Sequence, residues 1–188
     1  VAQLEPRRPE LPKSKEGISH PIDLWVDTYF QQKNIPWPQV ADDRIFLRRM
    51  YLDIIGLMPS PEEMDSFIQD NRPDKKSIWL RALLDRNDDY AMHWLTFWND
   101  ALRNDYTGTG YITRGRFNIT DWLYQSLKTN KPYDSFVKEI LNPDNSSKGF
   151  IAGIQWRGSV NSSQSTEMQA AQNVGQVLLG LNLKCASC

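Results

Sequence analysis

The stretch from Asp42 to Ile68 constrains the fold more than any other part of the chain. After Asp42 and Asp43, the apolar residues Ile45, Phe46, Met50, Ile54 and Ile55 recur at helical spacing until Gly56, a residue suited to a left-handed C-terminal cap. Ser60-Pro61-Glu62-Glu63 then supplies a capping hydroxyl, a proline at the first helical position and a glutamate three residues after the cap, with Met64, Phe67 and Ile68 behind them. A helix, its stop and the next start are thus written in local chemistry with a period near 3.6, which a strand of period 2 cannot use.

The same reading extends along the chain. Ile22, Trp25, Val26, Tyr29 and Phe30 predict a first helix that stops before Pro36 and Pro38. Asp74 opens a run through Ile78, Leu80, Leu83 and Leu84, and Asp88 or Asp89 opens one carrying Tyr90, Trp94, Leu95, Trp98 and Leu102. Thr107 to Arg116 reads as a loop, after which Ile119, Trp122, Leu123 and Leu127 resume the helical period. A short helix is expected over Tyr133, Phe136, Val137, Ile140 and Leu141, and a last one from Glu167 to Leu179 with Gly180 as its stop. Asn142 to Ser147 is turn-forming, and Phe150 to Ser165 lacks a clear period, so a small hairpin or an irregular excursion fits residues 150–165. The expected fold class is mainly α: an irregular bundle of seven or eight helices with an extended N-terminal tail.

A chain of 188 residues, 40% hydrophobic, suits one domain with a real core. Residues 1–21 carry Pro6, Pro9, Pro12 and Pro21 among charges with little to bury, and are expected to be an extended linker leading from an anchor or a preceding domain; residues 22–188 form the helical domain. Twenty-two basic residues stand against twenty-three acidic ones, a net charge of −1, so no global field draws nucleic acid or an anionic membrane. No apolar run approaches the roughly 20 residues that span a bilayer. The expectation is a soluble module whose export signal has been removed.

Arg48-Arg49-Met50-Tyr51-Leu52-Asp53-Ile54-Ile55-Gly56-Leu57, followed by Pro59-Ser60-Pro61-Glu62-Glu63, resembles the signature of the planctomycete-type cytochrome-c-like domains of the second type, domain-of-unknown-function family 1549. Pro21-Ile22-Asp23, the helix with Trp94 and Trp98, Pro132-Tyr133-Asp134-Ser135-Phe136-Val137 and Gln172-Asn173-Val174-Gly175-Gln176-Val177-Leu178-Leu179-Gly180 extend the likeness over nearly all of the chain from Pro21. The resemblance implies an exported protein of the periplasm or outer cell surface, with further domains of the same polypeptide or a complex as partners. It also implies that His follows the second cysteine of the terminal pair; this sequence stops at Cys188, and the domain is expected to continue beyond it.

The chemistry visible in the residues is sparse. Cys185 and Cys188 have the spacing that becomes a haem c site when His follows, two thioethers fixing the porphyrin and the imidazole holding the iron. The same spacing serves a local disulfide, two free thiols or half of a metal site. Ala170, Ala171 and Gly175 give the preceding helix a small-residue face on which a flat macrocycle could pack. Of the two histidines, His20 falls in the expected linker, and His93 is the candidate axial ligand, though a lone helical His is more often packed or solvated. Arg48, Arg49 and Asp53 suit a surface ion-pair network. Asp100, Arg103, Asp105, Arg114 and Arg116 surround the expected loop as a candidate polar cleft. The seven tryptophans, 25, 37, 79, 94, 98, 122 and 156, are read mostly as core.

No phosphate loop, paired-His zinc motif or nucleophile elbow is present, so nothing in the chain specifies an autonomous enzyme. The functional expectation is a redox or electron-transfer accessory module carrying haem c. The alternative is a non-catalytic helical scaffold of a cell-surface assembly, linked to polysaccharide use, with structural or metal-binding cysteines.

Overall fold

Helix α1 (Pro21–Lys33) starts where His20 Nδ1 accepts the Ile22 amide hydrogen at 3.3 Å and Pro21 takes the first helical position. His20 is therefore a helix cap, and the expected tail gives way to structure one residue earlier than the apolar pattern indicated. Asn34, at φ 54°, ends α1 two residues before Pro36. The Asn34 and Ile35 amides donate to the carbonyls of Gln31 and Phe30 at 3.2 and 2.8 Å. The chain then folds back on the helix: Trp37 Nε1 donates to Asp27 Oδ1 at 2.7 Å, Gln31 Nε2 donates to Asp27 Oδ2, and the Trp37 ring meets Phe30 edge-on at 5.1 Å. Asp27 is only 5% exposed, and these donors make its burial tolerable.

The computed structural model describes residues 9–13, 17–102, 111–112, 115–143, 146–148, 154–155 and 165–183. The chain divides between Asp42 and Asp43 into two compact units, the first of which holds α1 and its returning segment.

The second unit runs α2 (Asp43–Ile55), α3 (Pro61–Gln69), α4 (Lys75–Leu84), α5 (Asn87–Ala101), β1 (Tyr111–Ile112), α6 (Gly115–Lys128), α7 (Tyr133–Leu141), β2 (Ile154–Gln155) and α8 (Thr166–Leu179). Eight helices among the described residues bear out the mainly α expectation. The expected loop is shorter than its composition suggested, because Gly115 and Arg116 already belong to α6. Residues 154–155 do form a strand, but they pair antiparallel with 111–112, Tyr111 opposite Gln155 and Ile112 opposite Ile154. A partner so distant in sequence leaves no local periodic signal; the remaining residues of the expected 150–165 hairpin lie outside the described ones, apart from Ser165, which caps α8.

Two apolar clusters form the core. The first joins Leu47, Met50, Tyr51 and Ile55 of α2 to Phe67 of α3 and Leu83 of α4, with Tyr90 of α5 packed against it. The second joins Leu102, the α6 residues Ile119, Trp122 and Leu123, and Phe136 and Ile140 of α7, with Leu95 and Trp98 of α5 and Val174 and Val177 of α8 against it. Helix α5 thus serves both clusters, and its contact with α6 is the most extensive between any two elements. Each fully buried side chain of this kind stabilises by about 1.5–3 kcal/mol, so the spine position of α5 follows from the apolar residues on two of its faces. Tryptophan burial is uneven: Trp122 is buried and Trp79, Trp94 and Trp98 are half-buried, whereas Trp25 and Trp37 are 42% and 48% exposed. Trp156 lies outside the described residues.

Candidate functional site

Polar groups from three parts of the chain converge at the corner between α2 and α3, against the start of α5. Glu63 is the node. Its Oε2 accepts the Ser60 amide hydrogen at 2.7 Å while its own amide donates to Ser60 Oγ at 3.1 Å, which completes the capping box foreseen from the sequence. The same carboxylate accepts from Arg86 Nη1 at 3.4 Å and lies close enough to the Tyr51 phenol to oppose its ionisation. Arg86 also forks onto Asp89, with Nε and Nη2 at 2.7 and 2.6 Å from Oδ2, and its guanidinium lies 5.9 Å from the Tyr51 ring centre.

Tyr51 is 2% exposed, and its pKa is pushed up to about 12, first by burial and then by the hydrogen bond to Glu63 and that group's charge, with Arg86 opposing. A phenol held neutral donates a hydrogen bond but is no base, and the carboxylates around it are already paired. The cluster therefore fixes an angle between helices and offers no acid–base pair to a substrate. Because the folded-state value lies above that of an unfolded tyrosine, about 10, the native state holds the proton longer. The stabilisation is complete below pH 10 and is lost as pH rises from about 10 to about 12. Urea unfolding across this range should show the native protein weakening with pH, and Tyr51→Phe should remove that component; a Tyr51→Phe chain with the wild-type alkaline slope would contradict the assignment.

The other face of the corner explains His93. Gly56 closes α2 with φ 69°, and the His93 imidazole of α5 lies directly on it: a Cβ added at position 56 would stand 2.3 Å from His93 Nδ1 and 2.9 Å from its Cγ. Trp94, packed edge-on to His93 at 5.2 Å, donates Nε1–H to the Ile54 carbonyl at 3.2 Å and so satisfies one of the last carbonyls of α2. His93 is a packing surface at a helix joint.

The remaining sequence candidates are not brought together. Arg48, Arg49 and Asp53 are exposed, and among the described residues no ion pair joins them. Asp100 is exposed at the end of α5; Arg103, Asp105 and Arg114 lie outside the described residues, and Arg116 is placed only as part of the α6 backbone. Cys185 and Cys188 also lie outside them. What is described is their approach. Gly180, at φ 64°, and Leu181 both donate their amides to the Gly175 carbonyl, the second at 2.8 Å, and Leu183 lies over Gly175. The small-residue face is therefore not open as expected: Ala170 and Gly175 are buried, and only Ala171 is exposed. Among the described residues no group of three or more His, Cys, Asp or Glu could hold a metal ion, and no helix is long and apolar enough to cross a membrane.

Sequence reasoning found the Ser60–Glu63 cap but missed the second role of Glu63, because Tyr51 and Arg86 are distant in sequence. The one available signal was the pair Arg86 and Asp89, three apart at a helix start.

These features define a mainly helical domain whose shared joint is a capped corner, α2 to α3, locked onto a central helix. The chain belongs to the family described as PSCyt2, protein of unknown function (DUF1549), whose model matches residues 21–188. No curated protein and no solved structure matches it.

Proposed function

We propose that this domain is a cytochrome-c-like redox accessory module of an exported protein of the periplasm or cell surface, in which the helices form a rigid carrier and Cys185 and Cys188 attach haem. The observation that carries the reading is the Cys-x-x-Cys pair set immediately after the hydrogen-bonded reversal at Gly180 and Leu181. The donor chemistry fits, since two thiols at this spacing suit two thioether bonds along one porphyrin edge. Once attached, haem supplies one-electron redox chemistry. The chain's own part is to fix the attachment point; iron ligation is left to residues other than His20, whose Nδ1 caps α1, and His93, which packs on Gly56.

The test is intact mass together with a reduced-minus-oxidised visible spectrum, on the longest natural form of the polypeptide exported by a host able to attach haem c. A haem-sized mass increment with the matching spectrum is the expected result. Unmodified mass and a featureless spectrum would overturn it.

A second reading, a non-catalytic helical scaffold with the cysteines joined to each other or to a metal, is favoured by a different observation. The signature residues Met50, Tyr51, Ile55, Gly56, Ser60 and Glu63 all build core, cap or joint, and Leu183 lies over Gly175 on the small-residue face of α8. A Cys185–Cys188 disulfide in the iron-free native protein would select this reading, with further domains of the same polypeptide or a complex as its partners.

A further inference from the structure

A helix that only has to fill space between its neighbours can do so with aliphatic side chains, and leucine at positions 90, 94 and 98 would keep the apolar stripe of α5. The chain instead places Tyr90, Trp94 and Trp98 there, three oxidisable rings four residues apart and so on one face of the helix. The ring centres of Tyr90 and Trp94 are 6.1 Å apart. Phe97 meets Trp94 edge-on at 5.6 Å and Trp98 edge-on at 5.7 Å. Trp98 in turn lies 6.4 Å from Tyr133 and 4.8 Å from Phe136, on which Tyr133 stacks at 6.3 Å. Every step is within the range of direct aromatic contact. The row begins half-buried in α5 and ends on a side chain that is 60% exposed, Tyr133.

Two features give the row a direction. Trp94 Nε1–H donates to the Ile54 carbonyl at 3.2 Å, and a backbone carbonyl is too weak a base to take the indole proton. A Trp94 that loses an electron therefore stays a radical cation, which is a strong oxidant. Tyr133 faces water, which accepts the phenolic proton once the ring is oxidised, and the neutral tyrosyl radical left behind is a weaker oxidant than an indole cation. Electron exchange falls steeply with the separation of two rings, so rings in contact are the favoured partners.

We propose that this row is an outlet for oxidising equivalents: a one-electron oxidation at Trp94 passes through Trp98 to Tyr133 and leaves the domain at its surface. The oxidant, a metal centre or radical of the one-electron class, gains an electron from Trp94. Trp98 returns an electron to Trp94, and Tyr133 returns one to Trp98 while its phenolic proton goes to water. Phe97 and Phe136 are far harder to oxidise and only bridge the steps. The route goes beyond the proposed haem reading and uses neither cysteine.

The experiment uses the full chain produced without haem attachment, with Cys185→Ser, Cys188→Ser and Met92→Cys, and a ruthenium polypyridyl photo-oxidant attached through the new thiol. Met92 is 60% exposed and stands two residues before Trp94, so the label sits near the entry without entering the core. After flash oxidation with a cobalt(III) ammine as electron acceptor, transient absorption should show an indole radical replaced by a tyrosyl radical, at a first-order rate independent of protein concentration. Tyr133→Phe should lose the tyrosyl signal and leave a longer-lived indole radical. Trp98→Phe should lose it as well, with unchanged circular dichroism. Tyr90→Phe and Tyr124→Phe should both retain it.

A wild-type tyrosyl yield in the Tyr133→Phe chain would overturn the proposal, as would loss of the signal in Tyr90→Phe or Tyr124→Phe, or a growth rate that scales with protein concentration. If Trp98→Phe fails to fold, Tyr133→Phe decides alone, since it removes one hydroxyl from an exposed ring. No step involves haem, so an exported protein without haem leaves this result standing, and failure of the outlet leaves the haem reading to its own test.

Discussion

Phe67→Ala should be among the most destabilising single substitutions in this protein, costing about 3–5 kcal/mol and lowering the melting temperature by roughly 6–20 °C. The ring has no exposed surface. It lies nearly parallel to Phe46 at 6.0 Å, meets Trp79 edge-on at 5.5 Å and carries Lys75 Nζ 4.7 Å above its centre. That ammonium also binds Asp43 Oδ2 at 2.7 Å, at the start of α2, and the Phe67 carbonyl at 3.1 Å. Removing the ring opens a cavity among three helices and withdraws the surface along which the Lys75 stem lies. The fluorescence of Trp79 should change together with urea stability. A loss below about 1 kcal/mol would mean that the site collapses without cost, and would move the centre of this cluster away from α3.

The contrast between Phe67 and Glu63 shows how much was legible in the sequence. Phe67 declares itself, because a 3.6-residue period and a capping box place it on the inner face of a short helix. Glu63 declares only its local half, the cap; its pairing with Tyr51 and Arg86 depends on how α5 returns, which no periodicity encodes. The β1–β2 pair was invisible for the same reason, since two-residue strands carry no pattern. His93 was legible as a lone histidine beside Trp94 on a helix, and its role depended on Gly56, which the sequence marks as a helix stop without showing what lies on it. The small face of α8 was legible in composition but its covering was not, because the reversal at Gly180 brings Leu183 back over Gly175. Local chemistry thus gave the helices and their ends; the joints between them, such as the Glu63 corner, come from long-range contacts.

Gly56→Ala should cost about 2–5 kcal/mol, because two penalties fall on one methyl group. The left-handed backbone at φ 69° disfavours any Cβ by about 1–2 kcal/mol, and overpacking against a neighbour adds about 1–3 kcal/mol. The neighbour is the His93 imidazole, at 2.3 Å from Nδ1. It cannot retreat freely, since Trp94 packs on it and is itself anchored to the Ile54 carbonyl. The two penalties separate in a double-mutant cycle. In a His93→Ala background the steric part should vanish, leaving about 1–2 kcal/mol from the backbone alone. The coupling, about 1–3 kcal/mol, is measured by urea unfolding of the four chains. A cost for Gly56→Ala that is the same with and without His93 would show that the imidazole is not the obstruction, and would free His93 for another role. The predicted coupling instead makes His93 the partner of a helix stop: an aromatic side chain packed where a glycine leaves room. On that account the stretch from Arg48 to Glu63 is kept together by geometry, with Gly56 turning the chain, His93 filling the turn, and Tyr51 and Arg86 closing the corner on Glu63.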